Sequence, residues 1–120
     1  MATKIVTLQV ARREHSPSIT VFELTGSIHA GPDCQRLQQE FETLTPGNEK
    51  RFILDLSGVT HVDSAAIGTI VMCFSRVKKS GGMLCLAGAK GMVAGTLKLT
   101  QVDKAIKIYP TAADAAAALQ

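Results

Sequence analysis

The sequence is poor in aromatic side chains: its 120 residues include four phenylalanines, one tyrosine and no tryptophan. Proteins that bind single-stranded nucleic acids usually stack the bases on aromatic rings, so the composition disfavours that class. The 13 lysines and arginines are scattered, and pairs such as Arg12-Arg13 and Lys78-Lys79 are too short to form a phosphate-binding stripe. We therefore expect no nucleic-acid partner and a core built mainly from aliphatic side chains.

Residues that could bind a metal are also sparse. The cysteines and histidines are isolated from one another in the sequence, as Cys34, Cys73, Cys85, His15, His29 and His61. No C-x-x-C or Cys/His spacing typical of a zinc site occurs, and three widely spaced cysteines do not indicate a disulfide framework. We expect no metal and no cofactor, with the cysteines buried as small apolar residues in a reducing cytosol.

Long apolar runs are missing as well. None approaches the roughly 20 residues that a membrane-spanning helix needs. The opening residues, "MATKIVTLQVARRE", lack the basic, apolar and small-residue layout of a signal peptide. The length suits one domain with one core, which we place at residues 1–120. These features predict a cytoplasmic protein without membrane insertion.

What the sequence does contain is an alternation of strand-like and helix-like segments. Apolar patterns predict strands at 5–10, 19–26, 51–58, 83–88 and 105–109. Cap signals and helical spacing predict helices that begin near Pro32, Ser64, Lys90 and Thr111. A turn around Pro17 favours antiparallel pairing of the first two strands. The order predicts an α/β domain with a mostly parallel mixed sheet of about five strands, an antiparallel N-terminal strand and about four helices.

Apolar positions in the predicted helices mark the sides that should face the sheet. They are Cys34, Leu37, Phe41 and Leu44 in the first helix, Ile67, Ile70, Val71, Phe74 and Val77 in the second, and Val93 and Leu97 in the third. We expect Gly68 to let the second helix lie close to the sheet. Thr111 and Asp114 form a cap pattern for the last helix.

Motifs for catalysis or nucleotide binding are weak. The segment "GAKGMVAGT", residues 88–96, fits neither G-x-x-x-x-G-K-[ST] nor G-x-G-x-x-G, so it predicts a tight turn before a helix. Ser64, His61 and Asp63 are too close in the sequence to form a catalytic triad, and no G-x-S-x-G surrounds Ser64. We expect no enzymatic activity.

The segment "DLSGVTHVDSAAIGTI", residues 55–70, runs a strand into a helix through Asp63 and Ser64. Either side chain could cap the helix by accepting a hydrogen bond from a free backbone amide. The helix N-terminus would also tolerate a phosphate on Ser64, because it favours anions. Such a phosphate would add about −1.5 to −2 charges beside Asp63 and repel a partner suited to a neutral hydroxyl. Two interpretations stay open: Ser64 only caps the helix, or it is a chemical switch.

Three segments, taken in order, resemble the STAS domain: "FELTGSIHAGPDCQRL", "FILDLSGVTHVDSAAIGTIV" and "LKLTQVDKAIKIYPTAADAAAAL". This fold occurs in bacterial anti-sigma factor antagonists and in the cytoplasmic tails of sulfate transporters, and the resemblance covers essentially the whole chain. It implies a protein that binds a partner acting as both an anti-sigma factor and a serine kinase. It further implies that phosphorylation of a Ser or Thr at the start of the second long helix dissociates the complex.

The acceptor residue departs from the sporulation-type members, in which the turn reads D-S-S-G-L-G and the second Ser is phosphorylated. Here Ala65 occupies that position. Scaffold proteins of the stressosome carry the acceptor directly after the Asp, and by resemblance to them Ser64 is the candidate phosphoacceptor. Ser57 and Thr60 are weaker candidates that we expect to make loop hydrogen bonds. His29 stands where many members have an acidic residue.

The predicted partner surface centres on the exit of the third strand and the start of the second long helix. The "SIHAG" loop should lie beside it, because the carboxyl ends of parallel strands converge. The residues of this surface are Asp63, Ser64, Ala65, Ala66, Ile67, His61 and His29. Two other functions stay open: a module that binds a nucleotide or lipid at the "GAKG" loop and the Asp63 turn, and a non-phosphorylated scaffold subunit of a larger assembly. The sequence predicts no oligomeric state.

Overall fold

A computed structural model describes residues 7–42 and 51–120 of the chain. Its strands are β1 (Gln9–Ser16), β2 (Ile19–Ile28), β3 (Arg51–Val62), β4 (Met83–Ala87) and β5 (Ile108–Tyr109). Its helices are α1 (Pro32–Glu42), α2 (Ser64–Lys79), α3 (Gly91–Leu99), α4 (Val102–Ala105) and α5 (Ala112–Leu119). The strands form one sheet in the order β1-β2-β3-β4-β5, with β1 antiparallel to β2 and all other neighbours parallel. The predicted α/β class and mixed sheet are confirmed.

The first strand lies further along the chain than the apolar alternation predicted. Residues 1–6, which include the start of the predicted strand, lie outside the described residues. β1 continues through Arg12 and Arg13 to Ser16, and the hairpin turn is confined to Pro17 and Ser18. A strand at a sheet edge pairs on one side only, and charged side chains are common there. The apolar pattern therefore underestimates how far such a strand extends.

The central strand, β3, ends at Val62 rather than at the predicted residue 58. Its first half pairs with both β2 and β4, whereas its second half pairs with β2 alone, up to Val62 opposite Ile28. In this second half Thr60 and His61 are both exposed, so apolar and polar residues do not alternate regularly. Backbone pairing with β2 extends the strand where the side-chain pattern gives no signal.

Both faces of the sheet are covered by helices. On one face Phe22, Leu54 and Leu86 belong to a large core that includes residues of α1, α2 and α3. On the other face Ile53 packs in a smaller cluster with Ala115 of α5. Successive residues of a strand point to opposite faces, so Ile53 and Leu54 serve different cores. This confirms that the apolar run at the start of β3 belongs to a strand covered on both sides.

Most of the predicted inward helix positions are buried, namely Cys34, Leu37, Phe41, Ile67, Ile70, Val77, Val93 and Leu97. Phe74 is half-buried against the core, and Leu44 lies outside the described residues. The prediction for Val71 is wrong: it is 39% exposed, and Cys73 completes the buried face instead. The role expected of Gly68 is also wrong. It is exposed, and a Cβ at this position would meet no atom within 4 Å, so close packing does not require a glycine.

The last part of the chain differs from the predicted strand at 105–109. A left-handed residue, Gln101 with φ 63°, turns the chain from α3 into the unpredicted helix α4, and Ile106 ends that helix. Only the two residues of β5 pair with β4. A helix of one turn has too few positions to show a periodic pattern, which is why the sequence did not reveal it. The cap of α5 is confirmed, because the Thr111 hydroxyl accepts a hydrogen bond from the Asp114 amide at 3.0 Å.

Candidate functional site

The predicted partner surface forms where β2 and β3 end side by side. Ile28 lies opposite Val62 in the parallel register, and the Asp63 amide donates to the Ile28 carbonyl oxygen at 3.3 Å. The loop between β2 and α1, residues 29–31, therefore lies against the start of α2. This confirms that the "SIHAG" loop and the Asp63-Ser64 turn converge.

One carboxylate joins these two segments. Oδ1 of Asp63 accepts a hydrogen bond from the Ala66 amide at 2.9 Å and caps α2, while Oδ2 accepts one from the Ala30 amide, also at 2.9 Å. Burial acts to raise the pKa of Asp63, but the amides of Ala30 and Ala66, together with nearby His29, lower it below the ordinary value of 3.8. At neutral pH, Asp63 is an ionised clamp between the loop and the helix.

A second carboxylate fixes the other side of the loop. Asp33 in α1 is only 3% exposed and accepts hydrogen bonds from the Thr7 hydroxyl at 2.6 Å and from the amides of Thr7, Leu8 and His29 at 2.7, 3.0 and 3.1 Å. Burial acts to raise the pKa of Asp33, but the Thr7 hydroxyl and the three amides lower it. The sequence marked Asp33 only as a helix start. Local patterns could not reveal more, because Thr7 is 26 residues away.

Because Asp63 accepts the hydrogen bond that caps α2, the Ser64 hydroxyl is not needed for capping. It is the first residue of α2 and is exposed, and its hydroxyl has no hydrogen-bond partner among the residues that the structure describes. Ala65 is exposed beside it. Two predicted contact residues do not share this surface: Ala66 and Ile67 are 0% and 7% exposed, because the helical turn directs them into the core. Their side chains cannot meet a partner directly.

The two histidines of the predicted surface are both exposed. Nδ1 of His29 lies 3.6 Å from Oδ2 of Asp33, a distance that makes an ion pair when the imidazole is protonated. Nδ1 of His61 lies 3.1 Å from the hydroxyl of Thr60, which itself donates to the Gly26 carbonyl oxygen at 3.2 Å. Thr60 is thus a hydrogen-bonding residue as predicted, although it lies within β3 rather than in a loop.

The cysteines do not supply a reactive nucleophile to this surface. All three cysteines are free and buried, and burial raises the pKa of Cys73 to about 12 and that of Cys85 to about 11. Thiols with such pKa values are poor nucleophiles at neutral pH. Across residues 7–42 and 51–120, no group of three or more His, Cys, Asp or Glu side chains could hold a metal ion. In the same part of the chain, no helix is long and apolar enough to cross a membrane.

The "GAKG" segment is the tight turn that its spacing predicted. Gly88 and Gly91 have φ values of 74° and 52°, and α3 begins at Gly91. Four surface cavities of 360 to 450 Å³ lie elsewhere, between α1 and α2, over β1 to β3, beside β4 and α5, and at the end of α3. None of these four is lined by Asp63 or by residues 88–91. They give no support to a small-ligand site at those two positions.

Sequence comparison finds a match to the family model of the STAS domain over residues 11–115. A curated protein of Thermotoga maritima, provisionally named an anti-sigma factor antagonist, is 36% identical over 74 residues. That alignment covers 62% of this chain and 65% of the relative, so the chain spans slightly less than two thirds of the relative's length.

Structural comparison extends the match to nearly the whole fold. An anti-sigma factor antagonist from Mycobacterium paratuberculosis superposes with a TM-score of 0.76 at 21% identity, covering 98% of this chain and 97% of the other. The Bacillus cell fate determinant SpoIIAA, solved in its phosphorylated form, superposes with a TM-score of 0.72 at 12% identity, covering 93% of this chain and 100% of the other. At these identities the two structures show a shared fold.

Proposed function

Because the chain belongs to the STAS domain family, we propose that it is an anti-sigma factor antagonist that is switched off by phosphorylation of Ser64. Its partner is a cytoplasmic protein that is both the anti-sigma factor and the serine kinase. The contact surface consists of the exposed residues around the ends of β2 and β3, which are His29, Ala30, His61, Ser64 and Ala65. We call these five residues the switch surface.

The observation that carries this proposal is the unengaged hydroxyl of Ser64. A hydroxyl that capped the helix would have to give up its bond before a kinase could use it, at a cost of about 1 kcal/mol. Asp63 makes that bond instead, through Oδ1, and leaves the neighbouring serine exposed. A phosphoryl group can therefore be added without removing the cap of α2.

The charges around Ser64 support a switch. Its neighbours on the surface, Ala30 and Ala65, are small and uncharged, so a partner can approach closely. A phosphate adds about −1.5 to −2 charges beside ionised Asp63, and like charges forced together at an interface cost several kcal/mol. The fold itself tolerates the anion, because the positive end of the helix dipole lies there. Phosphorylation should thus weaken the interface more than it weakens the domain.

The name of a related protein and the fold of a solved structure support the same function. The Thermotoga maritima relative is provisionally named an anti-sigma factor antagonist, and SpoIIAA, which shares the fold, has been solved in a phosphorylated form. By the resemblance to stressosome scaffold proteins, an acceptor directly after the Asp corresponds to Ser64. Because the relative aligns over only 65% of its length, the partner and its kinase activity remain part of the proposal.

The test compares four baits in a lysate of the native organism: wild type, Ser64→Ala, Ser64→Asp and Ser75→Asp. Ser75 is an exposed serine further along α2, so Ser75→Asp adds the same charge to the same helix away from the switch surface. We expect all baits except Ser64→Asp to retain an ATP-binding partner. With the purified partner, Ser64→Asp should raise Kd by about tenfold or more. Incubation with ATP should place phosphate on Ser64 of the wild type and none on Ser64→Ala.

Two results would contradict the proposal. Equal binding by wild type and Ser64→Asp would mean that Ser64 lies outside the interface, which favours a non-phosphorylated scaffold subunit. Equal loss of binding by Ser64→Asp and Ser75→Asp would indicate a general response to negative charge on α2 rather than a switch at its N-terminus.

A further inference from the structure

The outer face of α3 carries apolar side chains that none of the described elements covers. Val93 and Leu97 are 1% exposed and define the inward side of the helix. At 100° per residue, Met92, Gly95 and Leu99 fall on the opposite side. Met92 is 51% exposed and Leu99 is 85% exposed, the highest value among the exposed large apolar side chains. Two exposed apolar side chains therefore share the outer side of α3.

The segment that contains α3 and α4 also carries more positive than negative charge. Residues 90–107 contain four lysines, one aspartate and no arginine or glutamate. The four lysines, Lys90, Lys98, Lys104 and Lys107, are exposed. None of them makes an ion pair with another of the described residues.

The backbone brings the apolar and basic residues onto one surface. The left-handed turn at Gln101 folds α4 back beside the end of α3, so Lys104 joins Lys98 and Leu99 around one shallow depression of 450 Å³. Asp103 also lines this depression, which leaves one net positive charge among its lining residues. Lys90 directly precedes α3 as its N-cap residue and is exposed. A Cβ built on Gly95 would meet no atom within 4 Å, so the middle of this surface is open to an approaching partner.

We propose that this surface docks on the face of an anionic lipid bilayer. We define it as Met92, Gly95, Leu99 and the lysines Lys98 and Lys104, and call it the α3 face. Leu99 and Met92 would enter the interfacial layer while the lysine ammonium groups contact lipid phosphates. The domain would lie on the membrane rather than span it.

The composition of the α3 face favours lipid over an acidic protein. The cores of protein interfaces are enriched in arginine, methionine and aromatic residues and depleted in lysine. The α3 face has lysine as its only cation and no aromatic residue. Flexible lysines around one or two protruding aliphatic side chains suit a bilayer, which presents mobile phosphates and an apolar layer beneath them. This inference goes beyond the proposed function and does not involve Ser64.

The test is cosedimentation of the full chain with vesicles of phosphatidylcholine alone or mixed with phosphatidylglycerol. We expect binding only to the mixed vesicles, and weaker binding as salt is raised. Met92→Ser/Leu99→Ser should lower the partition coefficient about tenfold or more, because the leucine side chain would no longer be transferred from water into the bilayer. Lys98→Gln/Lys104→Gln should lower it about 25-fold, at roughly fivefold for each lysine near the surface.

Matched variants control for general loss of apolar or basic groups. Met72→Ser/Met83→Ser removes side chains that are 55% and 54% exposed elsewhere, and Lys78→Gln/Lys79→Gln removes two exposed lysines of α2. Both should bind like the wild type, and thermal unfolding should confirm that every variant is folded.

Failure of the wild type to sediment with anionic vesicles would overturn the proposal. Equal losses in the test and control variants would do so as well, because binding would then follow overall charge and not this surface. Capture of an acidic protein through Leu99 and Lys98, without lipid and without vesicle binding, would assign the α3 face to a protein partner instead.

Discussion

At the scale of single residues, either Asp63 or Ser64 could have capped α2, and in the structure Asp63 does so. Asp63 has extended backbone angles, φ −107° and ψ −178°, which is the conformation of a residue just outside a helix. Its carboxylate reaches the Ala66 amide three residues on and the Ala30 amide across the turn. Ser64 is already helical and exposed, and its hydroxyl makes no hydrogen bond with the described residues. The cap therefore belongs to the acid, and the hydroxyl is available for other chemistry.

Because only one of the two side chains caps the helix, substitutions at Asp63 and at Ser64 should differ in their effect on stability. Asp63→Ala should lower the free energy of unfolding by about 1 to 2 kcal/mol, because it removes the cap of α2 and leaves the Ala30 amide without its partner. Ser64→Ala should change it by less than about 0.5 kcal/mol, since its hydroxyl is exposed and makes no bond to the described residues. Urea unfolding of both variants against the wild type measures the difference. A larger loss for Ser64→Ala would mean that the serine, not the acid, supports the helix.

At the scale of elements, the turn between β4 and α3 requires a glycine at position 88. Gly88 has φ 74°, and a Cβ there would lie 2.9 Å from Oδ1 of Asp55 and from Cβ of Ser57 on β3. The turn therefore passes too close to β3 for any side chain. Gly81, between α2 and β4, has a similar φ of 87°, but a Cβ there would meet nothing within 4 Å.

The pair separates steric contact from backbone strain. Gly81→Ala should destabilise the domain by about 1 kcal/mol, the usual penalty for a side chain in the left-handed region. Gly88→Ala should cost more, about 2 to 3 kcal/mol in total, because the contact with Asp55 and Ser57 adds to the same penalty. Thermal or urea unfolding of the two variants tests this. Equal losses of stability would show that β3 shifts to accommodate the added methyl group at no cost in free energy.

The helices also explain why the two faces of the sheet differ. Within residues 7–42 and 51–120, α1, α2 and α3 cover one face, whereas α5 is the helix that packs on the other, against Ile19, Val21 and Ile53. Beyond the reach of α5, that face carries polar side chains such as Thr25 and Ser57, which are exposed. The change from continuous apolar to mixed residues along β3 thus marks where its second cover ends.

At the scale of the whole molecule, two low-pKa carboxylates connect distant parts of the chain. Asp33 joins the segment before β1 to α1, and Asp63 joins the β2–α1 loop to α2. The pKa of each is lowered because, despite burial, several hydrogen bonds favour its ionised form. The folded structure around the switch surface therefore favours the ionised forms of both groups.

This arrangement predicts how stability depends on pH. Because the folded protein binds fewer protons than the unfolded chain, the contribution of Asp33 and Asp63 is complete above about pH 5 and is lost as the pH falls through their lowered pKa values. Urea unfolding at about pH 6 and about pH 3 should show this loss in the wild type. Asp33→Asn should be less stable at the higher pH and should lose less on acidification. An unchanged acid slope in that variant would show that other groups control the transition.

The sequence by itself determined the alternation of strands and helices, the mixed sheet, the buried sides of the helices and the cap of α5. These features follow from local periodicity and from residues a few positions apart, such as Thr111 and Asp114. The same local signals led to the junction at Asp63 and Ser64 as the place to look for a site. They could not choose between the two residues as the cap, because that choice depends on which backbone amides lie within reach.

Only the tertiary structure decided the rest, and in each case the reason is a contact between distant residues. Pairing with β2 extends β3 to Val62, and Thr7 makes Asp33 a buried clamp from 26 residues away. The helical turn buries Ala66 and Ile67 although they directly follow the exposed Ser64 and Ala65. The α3 face exists because the backbone turns at Gln101. Such contacts depend on the folded arrangement of whole elements, which short-range patterns in a sequence do not encode.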